Sequence, residues 1–231
     1  MKKILGIDGS KGGWIAVKQC VNLEDHTEID FRENLIELLT PDIKLAIIDM
    51  PVGLDKNPQK GGRLVDKEAR KILDKRKSSI FNAPIRDVLK AKSYNEANTI
   101  SKNKGLGISK QSWNLVPKIN ELDQILQIKI RPQIYESHPE LCFQIMNDGA
   151  LKFSKKEKLG IKERKNILIK NGFDKKFLDN NLKKNKNFLS DDFLDACALS
   201  WTAKRIINEQ NINLPEDPEK DELGIIMQMK V

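Results

Sequence analysis

Five acidic side chains stand where strand or helix patterns end. Asp8 closes the apolar run KILGID, Lys3 to Asp8, and Asp49 lies at the end of KLAIIDM, Lys44 to Met50. Glu136 closes QIYE, and Asp192 and Asp195 are three residues apart in DDFLDACALSW. Residues three apart on a helix share a face. If the strands ending at Asp8 and Asp49 are parallel neighbours, both carboxylates emerge at one sheet edge, where open α/β sheets bind ligands. Four or five such groups from distant parts of the chain repel one another unless a divalent cation is present. Oxygen-only ligands suit Mg²⁺ or Mn²⁺, and two ions roughly 3.5–4 Å apart suit in-line phosphodiester hydrolysis. Plainer roles compete. Asp8-Gly9 is a good turn dipeptide, Asp49 suits a strand end, and Asp191 and Asp192 favour a helix N-terminus through its dipole. Asp195 lies past the first turn, between apolar neighbours, where neither explanation reaches.

The elements that must position these groups follow from the pattern. KILGID and WIAVKQC, Trp14 to Cys20, flank the turn SKGG and form a β-hairpin. Glu28 to Phe31 supplies a third strand, and Glu33 to Leu39 a short amphipathic helix. The nearly continuous apolar run before Pro51 reads as a strand buried on both faces. The first fifty residues are thus β-β-β-α-β. Residues 51–130 carry few strand signals. They hold a charged helix over Leu64 to Lys77, a loop SSIFNAP, a loop Gly105 to Trp113, and a helix opened by Pro117. Strand character returns at Gln133, a helix follows from Glu140, and Ser190 caps a helix over Asp191 to Asn208. The expectation is a single α/β domain: a core of about 1–50 and 131–231, with a helical insertion between the fourth and fifth core strands.

Other side chains are candidates for substrate contact. His138 is one of two histidines and could shuttle a proton or contact a phosphate beside Glu136, or simply shape a His-Pro turn. Arg63, Arg70, Arg76 and Arg86 stand out in a chain that prefers Lys. Arginine clamps phosphate bidentately, and salt bridges to Asp66, Glu68 or Asp74 are the alternative. Ser109, Gln111 and Trp113 offer hydroxyl, amide and indole for a base or sugar, or make a structural loop around a buried Trp, with Lys110 and Lys118 adding charge. Cys197 lies on an apolar stripe and reads as core packing.

Composition narrows the classes. Of a net charge of +8, the block Lys152 to Lys186 carries thirteen Lys/Arg against four Asp/Glu. Such a block attracts phosphate backbones, or is a solvated face in a Lys-rich chain. No apolar run approaches the ~20 residues of a membrane span, and the N-terminus has no apolar stretch of roughly 7–15 residues as a signal peptide requires. Three dispersed cysteines without a CxxC exclude a zinc finger or disulfide scaffold. A cytoplasmic protein without a membrane partner is the expectation.

The order of an Asp on strand one, a carboxylate ending strand four and the late-helix motif Asp192-Phe193-Leu194-Asp195-Ala196 resembles the RNase H-like nucleases, most closely their RuvC/YqgF-like branch. The whole chain resembles a domain-of-unknown-function family described as predicted nucleases of the RNase H fold. Matching stretches are GIDGSKGGW, IIDMPVGL, DKEARKILDKRKSSIFNAP, SKQSWNLVPKINELD, YESHPELCF and DDFLDACALSWTAKR. The resemblance implies an RNase H-like mixed five-stranded sheet flanked by helices. It makes Asp8 the central metal ligand and puts Asp49 in the strand-four place, where relatives carry Glu. It supplies helix ligands from Asp192 and Asp195, and makes Glu136 a ligand or its orienting partner. It implies a two-ion Mg²⁺ or Mn²⁺ nuclease acting on DNA or RNA, and a homodimer if two strands are cut. Two other functions fit parts of the pattern. GIDGSKGG also opens ATP-using kinases of the actin/sugar-kinase type, although those need a second half and a second phosphate loop. A non-catalytic nucleic-acid- or nucleotide-binding protein of the same fold is the other.

Overall fold

The computed structural model describes residues 1–21, 26–183 and 186–231. The chain forms two compact units: Met1–Asp49 with Ile130–Ile212 and Lys230–Val231, and Met50–Lys129 with Asn213–Met229. Asn213–Met229, expected in the core, groups with the insertion.

In the first unit, β1 (Lys3–Ser10) and β2 (Gly13–Cys20) make the expected hairpin, and β3 (Thr27–Arg32) pairs antiparallel with β2. Gly12 takes the turn's left-handed conformation, at φ 82°, which a side chain disfavours. β4 (Ile43–Ile48) runs parallel to β1, and β5 (Gln133–Glu136) parallel to β4. β1 and β4 are buried along most of their length, as continuous apolar runs require. The connection before β4 holds a four-residue 3-10 turn, Leu35–Leu38, in place of the expected helix. Two-residue strands β6 (Asn213–Leu214) and β7 (Met229–Lys230) bring the mixed sheet to seven strands rather than five, ordered β3-β2-β1-β4-β5-β7-β6. So short a pair carries no periodicity to read.

Helices α4 (Pro139–Met146), α5 (Lys158–Lys170), α6 (Lys175–Asn181) and α7 (Ser190–Ile207) complete this unit. α7 packs across β1, β2 and β4 and against α4 and α5. Leu189, not Ser190, is its N-cap, because Asp192 reaches back to accept from the Leu189 amide at 3.0 Å. Gly6 sets the approach of α7 to β1. A Cβ there would lie 2.0 Å from the Ser200 amide nitrogen and 2.3 Å from the Ala196 carbonyl oxygen. Gly6→Ala is therefore expected to force the helix off the strand and destabilise the fold by about 3 kcal/mol, read as a lowered urea midpoint.

The second unit contains α1 (Leu64–Leu73), α2 (Tyr94–Asn103) and α3 (Lys110–Leu126). α1 ends four residues before the expected limit and passes into a 3-10 turn, Asp74–Ser79, which also takes the first residues of the expected SSIFNAP loop. α3 begins at Lys110 rather than Pro117, because the Ser109 hydroxyl caps it by accepting from the Ser112 amide at 3.0 Å. Pro117 is then interior and removes one rung of the helical ladder. A small core of Ile85, Val88, Ala97, Ile108 and Val116 joins α2 and α3. Among the described residues, no helix is long and apolar enough to cross a membrane.

Candidate active site

The parallel register sets the level of each carboxylate. Ile7 pairs with Ile48, and Ile48 with Glu136. Asp8 and Asp49 each follow one of these isoleucines, and the Asp49 amide donates to the Ile7 carbonyl at 3.1 Å. They are thus level, on the sheet face that Gly6 presents to α7, since alternate residues share a face. Asp195 is reached from that helix and is 1% exposed. Glu136 is level with Ile7 and Ile48, so its buried side chain belongs to the opposite face. Ser137 takes the level of Asp8 and Asp49 instead, with its hydroxyl 3.3 Å from Cys142 Sγ.

Electrostatics record the convergence. Burial, then Asp49, Asp195 and Asp192, hold the Asp8 carboxyl well above the usual carboxylate range. Burial likewise raises Asp49 to about 7, with Glu140 contributing, and Asp195 to about 6. The opposing charge is Lys155, whose ammonium lies 2.7 Å from Asp195 Oδ2 and lowers the pKa of all three carboxyls. Asp8 Oδ1 accepts from the Gly9 amide at 2.7 Å. Asp195 Oδ1 is buried and has no hydrogen-bond partner. Asp192 does other work: its Oδ2 accepts from the Leu189 amide and, at 2.7 Å, from the Ser10 hydroxyl. Of the two helix carboxylates, Asp195 is the one drawn into the cluster.

A carboxylate-only donor set with an orphaned buried oxygen has the chemistry of a hard-cation site. Among the described residues, no three His, Cys, Asp or Glu side chains are grouped closely enough to hold an ion as they stand. The Lys155 ammonium stands among the carboxylates where such an ion would be balanced. The donor types suit a divalent ion, which these carboxylates would hold only by closing in on it beside that ammonium.

Lys155, Glu140, Arg164 and Ser10 were not among the residues expected at the site. Glu140 pairs with Arg164 at 2.5 Å, both buried. Lys155 is one lysine among many in its block, and no spacing distinguishes it. Glu140 had a signal, as it closes YESHPE after a helix-starting proline. His138 caps α4, its Nδ1 accepting from the Glu140 amide at 3.2 Å. Cys142 and Cys197 are buried thiols; burial raises Cys142 to about 11 and holds Cys197 well above the usual thiol range, so neither is a ready nucleophile.

The expected substrate contacts all belong to the second unit. Arg63 is 2% exposed, paired with Asp66 at 2.7 Å, and donates to the Gly53 carbonyl at 2.9 Å. Arg70 donates to the carbonyls of Gly61 and Ile80 and to the Asn82 side chain. Arg86 joins Asp123 and Asp221 at 2.9 and 2.6 Å. Arg63 thus makes one of the salt bridges weighed for these arginines, to Asp66, whereas Arg70 and Arg86 take other partners. Arg76 lies in the 3-10 turn and Lys118 on α3, both partly buried. Trp113 packs against the small core. Ser109, Gln111 and Arg70 line a cleft of about 570 Å³ with Ile80, Phe81 and Ile108.

A family model described as "Protein of unknown function (DUF429)" matches residues 6–220. The chain belongs to that family. No curated protein and no solved structure matches it.

Proposed function

We propose that this protein is a divalent-metal-dependent phosphodiesterase acting on nucleic acid, built on an RNase H-like core. One observation carries the reading: Asp8, Asp49 and Asp195, far apart in sequence, converge on one sheet face at the carboxyl ends of two parallel strands. The antiparallel β3-β2-β1 meander continued by parallel β4 and β5 supports the RNase H-like assignment. Exposed lysines on and before α5 and α6, including Lys156, Lys162 and Lys175, belong to the same unit and would draw in a polyanion.

Asp8, Asp49 and Asp195 would hold Mg²⁺ or Mn²⁺. The bound ion supplies Lewis-acid polarisation and a more acidic water. Asp192, tied to Ser10 and the Leu189 amide, fixes the first turn of α7 and so the place of Asp195. Glu140, held in place by its ion pair with Arg164, remains a negative charge that raises Asp49. A second reading, a binding protein of this fold without catalysis, draws on the ion pair that already satisfies one oxygen of Asp195. One panel separates the two: labelled single-stranded, duplex and branched DNA and RNA, each with Mg²⁺, Mn²⁺ or chelator. Cleavage of at least one member with metal and none with chelator is expected. Binding without cleavage of any member, by protein folded by circular dichroism, would overturn the nuclease reading in favour of the second.

A further inference from the structure

Lys155 has no part in the chemistry proposed above, yet it is built into the cluster. Its side chain is 38% exposed while its partner Asp195 is 1% exposed, so the ammonium reaches inward from a half-open stem. The backbone that carries it is fixed from α5. The Glu163 carboxylate accepts from the amides of Lys152 and Phe153 at 2.9 and 3.0 Å. Arg164 donates to the Phe153 carbonyl at 3.3 Å. Gly160 admits the Ser154 carbonyl so closely that a Cβ would lie 1.8 Å from its oxygen. Arg164 is in turn held by Glu140 and by the Phe143 ring, 5.4 Å from its centroid. A surface lysine that strays onto a carboxylate has no such support.

Charge balance then decides what else the cluster accepts. Asp192 is committed to Ser10 and the Leu189 amide, which leaves Asp8, Asp49 and Asp195 facing one ammonium. Three carboxylates and one ammonium carry a formal charge of minus two, which one divalent ion neutralises. Two ions beside the ammonium would leave plus two on a partly buried site, at a steep desolvation cost. Asp195 Oδ1, buried and without a hydrogen-bond partner, remains as a ligand oxygen for that one ion.

We propose that Lys155 takes the place of the second ion, so that the site binds a single divalent cation per chain and the ammonium competes for Asp195 with any other. This rests on the metal-dependent reading and replaces its two-ion form. Mn²⁺ titration followed by calorimetry and electron paramagnetic resonance tests it. Wild type is expected to bind one ion. Lys155→Met is expected to bind a second, or the first about tenfold tighter, as loss of one opposing charge at roughly 1.4 kcal/mol implies. Lys155→Arg should keep the one-ion stoichiometry, and Lys44→Met, at an exposed position of β4, should match wild type. Lys155→Gln repeats the test should the Met variant fail to fold. Two ions in wild type, or no change in stoichiometry or affinity on losing the ammonium, would overturn the proposal and leave the nuclease reading standing. No Mn²⁺ bound by folded wild type or variant would overturn both.

Discussion

Asp8→Asn is expected to abolish metal-dependent cleavage and, at the same time, to make the metal-free protein more stable. The loss follows from position. Asp8 lies within the cluster, and removing even an outer partner of a metal ligand costs about 10–100-fold, so loss of an inner ligand should exceed about 100-fold in kcat/KM. The gain follows from the same crowding. Burial and three neighbouring carboxylates hold Asp8 far above its ordinary range, so its ionised form is strained at neutral pH. The amide keeps an oxygen for the Gly9 amide and brings no charge. A gain on the order of 1 kcal/mol, or about 2–4 °C in Tm for a chain of this size, should appear with chelator present. An inactive variant that is also less stable would mean that Asp8 is structural.

The second large effect is on pH. In the metal-free protein Asp49 titrates at about 7 and Asp195 at about 6. An unfolded Asp titrates near 3.9. Between these values the native state holds more protons than the unfolded chain, so stability falls as pH rises through the window. Below about 4 the contribution is whole, and above about 7 it is gone. Metal-free protein should therefore be more stable at pH 5 than at pH 8, by on the order of 4 kcal/mol. Lys155 does not reverse the sign, because its raised pKa leaves it charged throughout this range. Metal binding must displace the same protons. Mn²⁺ affinity should rise about 10–100-fold from pH 5.5 to 8, and the Tm increase on adding Mn²⁺ should be larger at the higher pH. Chelator-treated protein with flat stability from pH 5 to 8 would contradict the electrostatics described for the cluster.

Some of this was legible in the residues alone. Asp8 and Asp49 sit at the ends of apolar runs, and strand ends can be counted, so their shared level followed once the two strands were taken as parallel neighbours. Asp195 could be singled out because a carboxylate between apolar neighbours past the first helical turn has no local explanation. Glu136 shows the limit of the same reasoning. It closes its apolar run as the two aspartates close theirs, but it pairs at the level of Ile7 and Ile48, and a one-residue offset turns a side chain to the other face. Register is a tertiary property that the run QIYE does not contain.

The remaining differences have similar causes. α2 has too thin an apolar stripe for its periodicity to announce a helix. Its capping signal was present, with Ser93 accepting from the Glu96 amide at 3.2 Å. Proline favours a first turn and so predicts a start at Pro117, whereas the cap at Ser109 sets the true beginning of α3. Asp221 lies in an acidic, proline-containing run that reads as solvated loop. It is buried instead, accepting from Arg86 at 2.6 Å and from the amides of Leu54, Leu223 and Ile225. Lys155 is the residue of greatest consequence that no sequence pattern marks. Only packing makes it different from Lys156, which is exposed one residue later.

The central claim is that Asp8, Asp49 and Asp195 together hold a divalent ion. A crystal structure of the protein grown with Mn²⁺, with anomalous differences recorded at the manganese edge, tests it most directly. The account predicts one peak at roughly 2.0–2.3 Å from oxygens of Asp8, Asp49 and Asp195, as hard-cation ligation requires, with the Lys155 ammonium still beside Asp195 Oδ2. No manganese peak on these carboxylates would contradict it.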